Sequence, residues 1–194
     1  MGNSVGESPL DSAASSRRSY LLLGLVIAAI ALILDQGVKT FVSANMELGD
    51  LIEVIPGFFS IHYILNPGAA FSMGENLTIL FAILQAAVAV YVTYLLIRKV
   101  KILSWAIALG ALLGGVLGNL GDRIFREPYF GFGHVVDMFS VNHFAIFNVA
   151  DSFIVCSMIA VAYLLIRGVN FDGSIGDQPK ATGKNDDAPT DPEA

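Results

Sequence analysis

The sequence predicts an all-α membrane protein: four transmembrane helices and a small β element outside them. Three observations carry this. Of 194 residues, 55% are hydrophobic and only 14% charged, with a mean hydropathy of +0.66. The apolar residues fall into four blocks, each near the roughly 20 residues that cross about 30 Å of hydrocarbon. Most basic residues cluster at one end of each block in an up-and-down path, with Arg123 and Arg126 breaking the trend.

Residues 1–19 are polar and rich in Ser and Gly, and read as a disordered cytoplasmic leader. Arg17 and Arg18 precede an apolar run that opens at Tyr20 and continues past Leu34 to Asp35-Gln-Gly-Val-Lys without a small-residue cleavage site, so the first span is retained. The second span is 77–97 and the third 102–120. The fourth runs from about 144 to 166. Its uninterrupted apolar part, 153–166, is too short to cross at about 1.5 Å per residue, so the helix has to begin earlier and include Asn148 and Asp151. Between spans one and two, 51–55 and 58–65 flank Pro56-Gly57 and read as a hairpin at the membrane surface. Residues 168–194 are acidic and turn-rich, a disordered cytoplasmic tail; from 172 onward they hold six acids against two lysines.

The positive-inside bias sets the orientation. Arg17, Arg18, Arg98, Lys99, Lys101 and Arg167 mark the cytoplasmic side, with both termini inside. The loop 43–76 has four acids and no Lys or Arg, which suits the outside. No basic stripe exists, so nucleic acid is excluded as a partner. The single cysteine, Cys156, rules out an internal disulfide and reads as core packing.

This topology brings Asp35, Asn66, Asn119, Asp122, Arg123, Asp137, Asn148 and Asp151 to the outer face. Acids at membrane depth are costly and mark function by default. Asp137 and Asp151 both lie in apolar settings, and a carboxylate pair can perform hydrolysis; an ion pair or proton relay is the alternative. Asn119, Asp122 and Arg123 share one helix face at i, i+3, i+4, and Asn148 lies one turn from Asp151. Asp122 beside Arg123 reads as a structural ion pair, Asp35 as a partner of Lys39, and Arg126 as a solvated loop charge. Gly114, Gly115, Gly118 and Gly121 allow close helix approach. His62, His134 and His143 are scattered and lack metal-ligand spacing, so no metal and no cofactor is expected. Ser72 and Ser152 lack the context of an activated nucleophile. A proton-coupled transporter would use the same acids, but nearer the midplane and with internal repeats, none of which is evident. A noncatalytic scaffold leaves the one-sided polar residues unexplained.

Five stretches in order resemble the lipoprotein signal peptidase (signal peptidase II) family: Asp35-Gln-Gly-Val-Lys39, Asn66-Pro-Gly-Ala-Ala-Phe-Ser72, Gly114-Gly-Val-Leu-Gly-Asn-Leu-Gly-Asp-Arg123, His134-Val-Val-Asp137 and Phe147-Asn-Val-Ala-Asp-Ser152. The resemblance spans residues 20–167, which it marks as a four-span peptidase domain. It implies four transmembrane helices with a small extracytoplasmic β cradle and a short outer helix. It further implies an aspartic endopeptidase in a bacterial plasma or inner membrane that removes the signal peptide from diacylglyceryl-modified prolipoproteins just before the lipidated cysteine. Asp137 and Asp151 match the catalytic aspartates, and Asp35, Asn66, Asn119, Asp122, Arg123 and Asn148 the supporting residues. The implied partners are the lipid-modified precursor and membrane lipid.

Overall fold

The computed structural model describes residues 9–68, 77–142 and 144–176. The elements run α1 (Pro9–Asn45), β1 (Leu51–Ile55), β2 (Phe59–Asn66), α2 (Leu77–Arg98), α3 (Leu103–Phe125), β3 (Val135–Val141) and α4 (Val149–Ile166). All four helices are long and apolar enough to cross a membrane. Their outward faces carry Leu22, Ile33, Ile83, Val90, Ile159 and Ile166, large apolar side chains exposed where lipid would meet them.

α3 is the hub. It packs against α1, α4 and α2, whereas α2 makes no extensive contact with α4. Small residues allow this closeness. A Cβ on Gly110 would lie 2.5 Å from the Gly24 carbonyl oxygen, one on Gly114 2.5 Å from that of Ala28, and one on Gly115 2.7 Å from that of Ala150. The expected close approach holds for Gly114, Gly115 and Gly118; Gly121 faces open space. The bundle core gathers around Trp105, Leu96, Val100, Leu109, Leu113 and Val116.

Two expectations about the chain ends change. The polar stretch 9–19 is helical and continuous with the first span. Pro9 suits a first helical turn, no breaker follows it, and extending an existing helix avoids the cost of nucleation. Arg17 at this end donates to the Ile97 carbonyl at the C-terminus of α2. Residues 168–176, expected disordered, form a hook in which Val169 bridges Ile175 and Phe171 stacks at 4.4 Å on Trp105. The Trp105 indole donates to the Val169 carbonyl at 3.1 Å, which satisfies a buried polar group. The rest of the tail lies outside the described residues. Cys156 is exposed on α4 rather than packed in the core.

At the opposite end, the expected hairpin β1–β2 gains a third antiparallel strand, in the order β1-β2-β3. β3 contains Asp137, which pairs with Ile64 of β2. The inner face of the sheet, through Val136 and Met138, packs on Val42 of α1. After β3 the chain folds back: Phe147 exchanges backbone hydrogen bonds with Phe139. That return delivers Asn148 beside Asp137 and starts α4 at Val149. α4 therefore begins before Phe153, as its length required, but later than residue 144, with Asn148 as its N-cap. Eighteen residues rise about 27 Å, close to the hydrocarbon thickness. The short outer helix is not seen among the described residues.

Candidate active site

The site is built where the C-terminal ends of α1 and α3 and the start of α4 meet the sheet. Asp137 comes from β3 and is 1% exposed; Asp151 sits in the first turn of α4 and is only half-buried. Asn148 joins them. Its side-chain amide donates to Asp137 Oδ1 at 2.7 Å, and its backbone N–H donates to Asp151 Oδ2 at 3.2 Å. Its side-chain oxygen accepts from the Asp151 backbone N–H at 2.9 Å, which completes a capping box. One residue thus fixes both carboxylates and ends the helix that carries one of them.

Each carboxylate has a second amide donor. Asn66, at the end of β2, donates to Asp137 Oδ2 at 2.9 Å, while its own oxygen accepts from the Gly68 N–H. Asn119 on α3 donates to Asp151 Oδ1 at 2.7 Å. Burial pushes the Asp137 carboxyl up from 3.8 to about 6, and the nearby Asp151 charge pushes the same way against the Asn66 and Asn148 donors.

Below the pair lies a fully buried ionic cluster. Lys39 of α1 donates at 2.8 Å to each of Asp35 Oδ2, Asp122 Oδ2 and Asn119 Oδ1. These are the three donors an ammonium has, so its burial is compensated. Asp35 also accepts from the Ala150 N–H at 2.8 Å, which ties α1 to the start of α4. Asp122 accepts from Gln36 at 3.0 Å and from Arg126 Nε at 2.7 Å. Gly118 makes room: a Cβ there would stand 2.5 Å from Asp35 Oδ2.

The eight expected polar residues therefore converge, with three corrections. Asp122 pairs with Lys39 and Arg126, not with Arg123, because the helix continues to Phe125 and turns Arg126 back by one turn. Arg126 is accordingly bound rather than a solvated loop charge. Arg123 is buried, its guanidinium lies 5.4 Å from the Phe81 ring centre, and its Nε and Nη1 have no hydrogen-bond partner among the described residues. Lys39 and Gln36 were missed as site residues; the signal available was a lysine one turn after an acid inside an apolar run. Among the described residues no group of His, Cys, Asp and Glu gathers as metal ligands. Ser152 is exposed and donates to the Asn148 carbonyl. His143 and Ser72 lie outside the described residues.

The family model described as signal peptidase (SPase) II matches residues 27–167, which includes every residue of this site. The chain belongs to the signal peptidase II family. Membership makes it a multi-pass membrane peptidase of prolipoprotein processing, and the transporter and scaffold readings fall. A protein named lipoprotein signal peptidase from Streptomyces coelicolor is 48% identical over 149 residues, 77% of this chain and 72% of the relative. One of the same name from Streptomyces griseus is 42% identical, covering 90% of this chain and 88% of the relative. A bacterial membrane enzyme solved at 1.9 Å by the in meso method superposes with a TM-score of 0.66 at 31% identity, over 74% of this chain and 92% of that one. The family's fold, four spans with a small sheet, is the fold described above.

Proposed function

We propose that Asp137 and Asp151 are the catalytic pair of this peptidase and that they hydrolyse the bond just before the diacylglyceryl-modified cysteine of a prolipoprotein. The observation that carries this is the double grip of Asn148 on both carboxylates. Two acids so placed share a proton, and the pair titrates as a unit. Burial raises Asp137 to about 6, which keeps one proton available to the pair. The ionised member takes a proton from water as the water oxygen attacks the scissile carbonyl. The protonated member donates to the carbonyl oxygen. The roles then reverse: the tetrahedral carbon expels the amine, which leaves protonated, and the signal peptide ends in a new carboxylate. No covalent bond to the enzyme forms.

The remaining polar residues hold this pair or the substrate. Asn66, Asn119 and Asn148 orient the carboxylates, and Asp35 and Asp122 anchor the helices through Lys39. The unpartnered N–H groups of Arg123 suit peptide carbonyls. An open pocket lined by Ile64, Leu65, Asn66, Pro67, Asp137, Ala145 and Ile146 reaches one member of the pair, Asp137. Arg17, Arg18, Arg98, Lys99, Lys101 and Arg167 belong to the end opposite the pair, so both termini face the cytoplasm and the site faces outward. Residues 20–167 form the peptidase domain, and the tail has no part in the chemistry.

Mass spectrometry of a digest tests this. Purified protein given a diacylglyceryl-modified precursor should release a product whose N-terminus is the lipidated cysteine, and should leave the unmodified precursor intact. Cleavage at any other bond, or equal cleavage of both precursors, contradicts the proposal.

A further inference from the structure

Among the described residues only two side chains contain buried polar atoms without a partner: Arg123, through Nε and Nη1, and Gln85, through Oε1. Gln85 has no place in the carboxylate network. It stands eight residues into α2, about 12 Å below the start of that helix. It shares the α3-facing side of α2 with Thr78, Phe81 and Ala89, one turn below the Phe81 ring on which Arg123 rests. A buried amide oxygen without a donor is costly, whereas an apolar residue in its place would carry no such cost. The neighbouring positions on α2 are almost all apolar.

We propose that Gln85 binds the peptide backbone of the signal peptide just upstream of the scissile bond, together with Arg123. This rests on the peptidase reading above. Chemistry selects the backbone over the lipid. Gln85 Oε1 lacks a donor, and the diacylglyceryl group, with its esters and thioether, offers only acceptors. A peptide presented to the aspartates is extended, so its N–H and C=O groups have no partners of their own. The signal-peptide helix that precedes it ends in orphan carbonyls, which Arg123 is charged and placed to meet. Gln85 takes an N–H and Arg123 takes carbonyls, so the two side chains that lack partners supply what this segment lacks. α2 and α4 make no extensive contact with each other, so such a segment can lie between them beside Phe81.

The test uses Gln85→Leu and a synthetic diacylglyceryl lipopeptide spanning the cleavage site, with single upstream amides replaced by esters so that one N–H at a time is lost. Cleavage of the all-amide lipopeptide by the wild-type protein establishes the peptidase reading on its own; without it, that reading and this inference both fail. Given that cleavage, Gln85→Leu should lower kcat/KM about tenfold, the worth of one buried hydrogen bond, with a melting temperature equal to or above wild type. One ester replacement before the cysteine should lower wild-type kcat/KM by a similar factor and leave Gln85→Leu unaffected. If Gln85→Leu does not fold, the wild-type ester series still decides, since absence of any sensitive position overturns the proposal. Wild-type rates for a folded Gln85→Leu overturn it as well. So does a loss of wild-type kcat/KM on replacing the lipid esters by ethers that Gln85→Leu does not show, which would assign Gln85 to the lipid.

Discussion

Lys39→Met removes the cation that holds the site's foundation. The change keeps most of the side-chain volume but leaves Asp35 and Asp122 buried without the ammonium 2.8 Å from each. Asp35 keeps the Ala150 N–H, and Asp122 keeps Gln36 and Arg126, so neither carboxylate is wholly abandoned. Breaking one side of a buried ion pair costs about 3–5 kcal/mol. For a chain of this size, 1 kcal/mol moves the melting temperature by about 2–4 °C, so the expected loss is roughly 6–20 °C. Scanning fluorimetry of the purified protein in detergent measures it. Asp35→Asn in the same background should recover part of the loss, because it removes one uncompensated charge; the four proteins form a double-mutant cycle. Activity measured well below the lowered melting temperature should also fall, since Lys39 holds the oxygen of Asn119, whose amide donates to Asp151. A melting temperature within about 2 °C of wild type would refute the view that this cluster holds the bundle under the site.

Gly118→Ala should be among the most damaging small changes in α3, because its methyl would enter the Asp35 carboxylate at 2.5 Å, whereas Gly121→Ala meets nothing; thermal stability and cleavage rate of the two should separate clearly. Asp137 should give a pH signature. Its folded value of about 6 lies above its ordinary 3.8, so the fold binds the proton more tightly than the unfolded chain, and stability should decline as pH rises from about 4 to 6, with the slope removed in Asp137→Asn. For the same reason kcat/KM should fall on the alkaline side as the pair loses its shared proton. Truncation after Gly176 should leave activity and melting temperature unchanged, whereas truncation after Gly168 uncovers Trp105, removes its Val169 acceptor and should lower the melting temperature by several degrees.

Much of the site could be read in the sequence because helical spacing is local. Asn119, Asp122 and Arg123 share a face at i, i+3, i+4, Asp35 and Lys39 meet one turn apart, and Asn148 and Asp151 form an N-terminal cap; each follows from 3.6 residues per turn. What the sequence did not reveal depends on distant partners. β3 reads as an apolar run without clean alternation, and its partner Ile64 lies more than 70 residues away from Asp137. Arg126 lies beyond the third apolar span and so reads as a loop charge; only the continuation of α3 to Phe125 returns it to Asp122. The hook at 168–176 is polar in composition and ordered through Trp105, some 65 residues earlier. The N-terminal polar stretch is helical for a different reason: composition reports what can be buried, not whether a helix already nucleated will continue.

The central claim is that one proton moves within the pair Asp137 and Asp151, and cleavage of a diacylglyceryl-modified precursor by Asp137→Asn, Asp151→Asn and the double variant tests it most directly. Asn keeps the size of Asp but cannot exchange the proton. Each single variant should insert, fold and lose cleavage by several orders of magnitude, and the double variant should be no worse than either, because groups acting as a unit are non-additive. A folded single variant that cleaves near the wild-type rate would contradict the account.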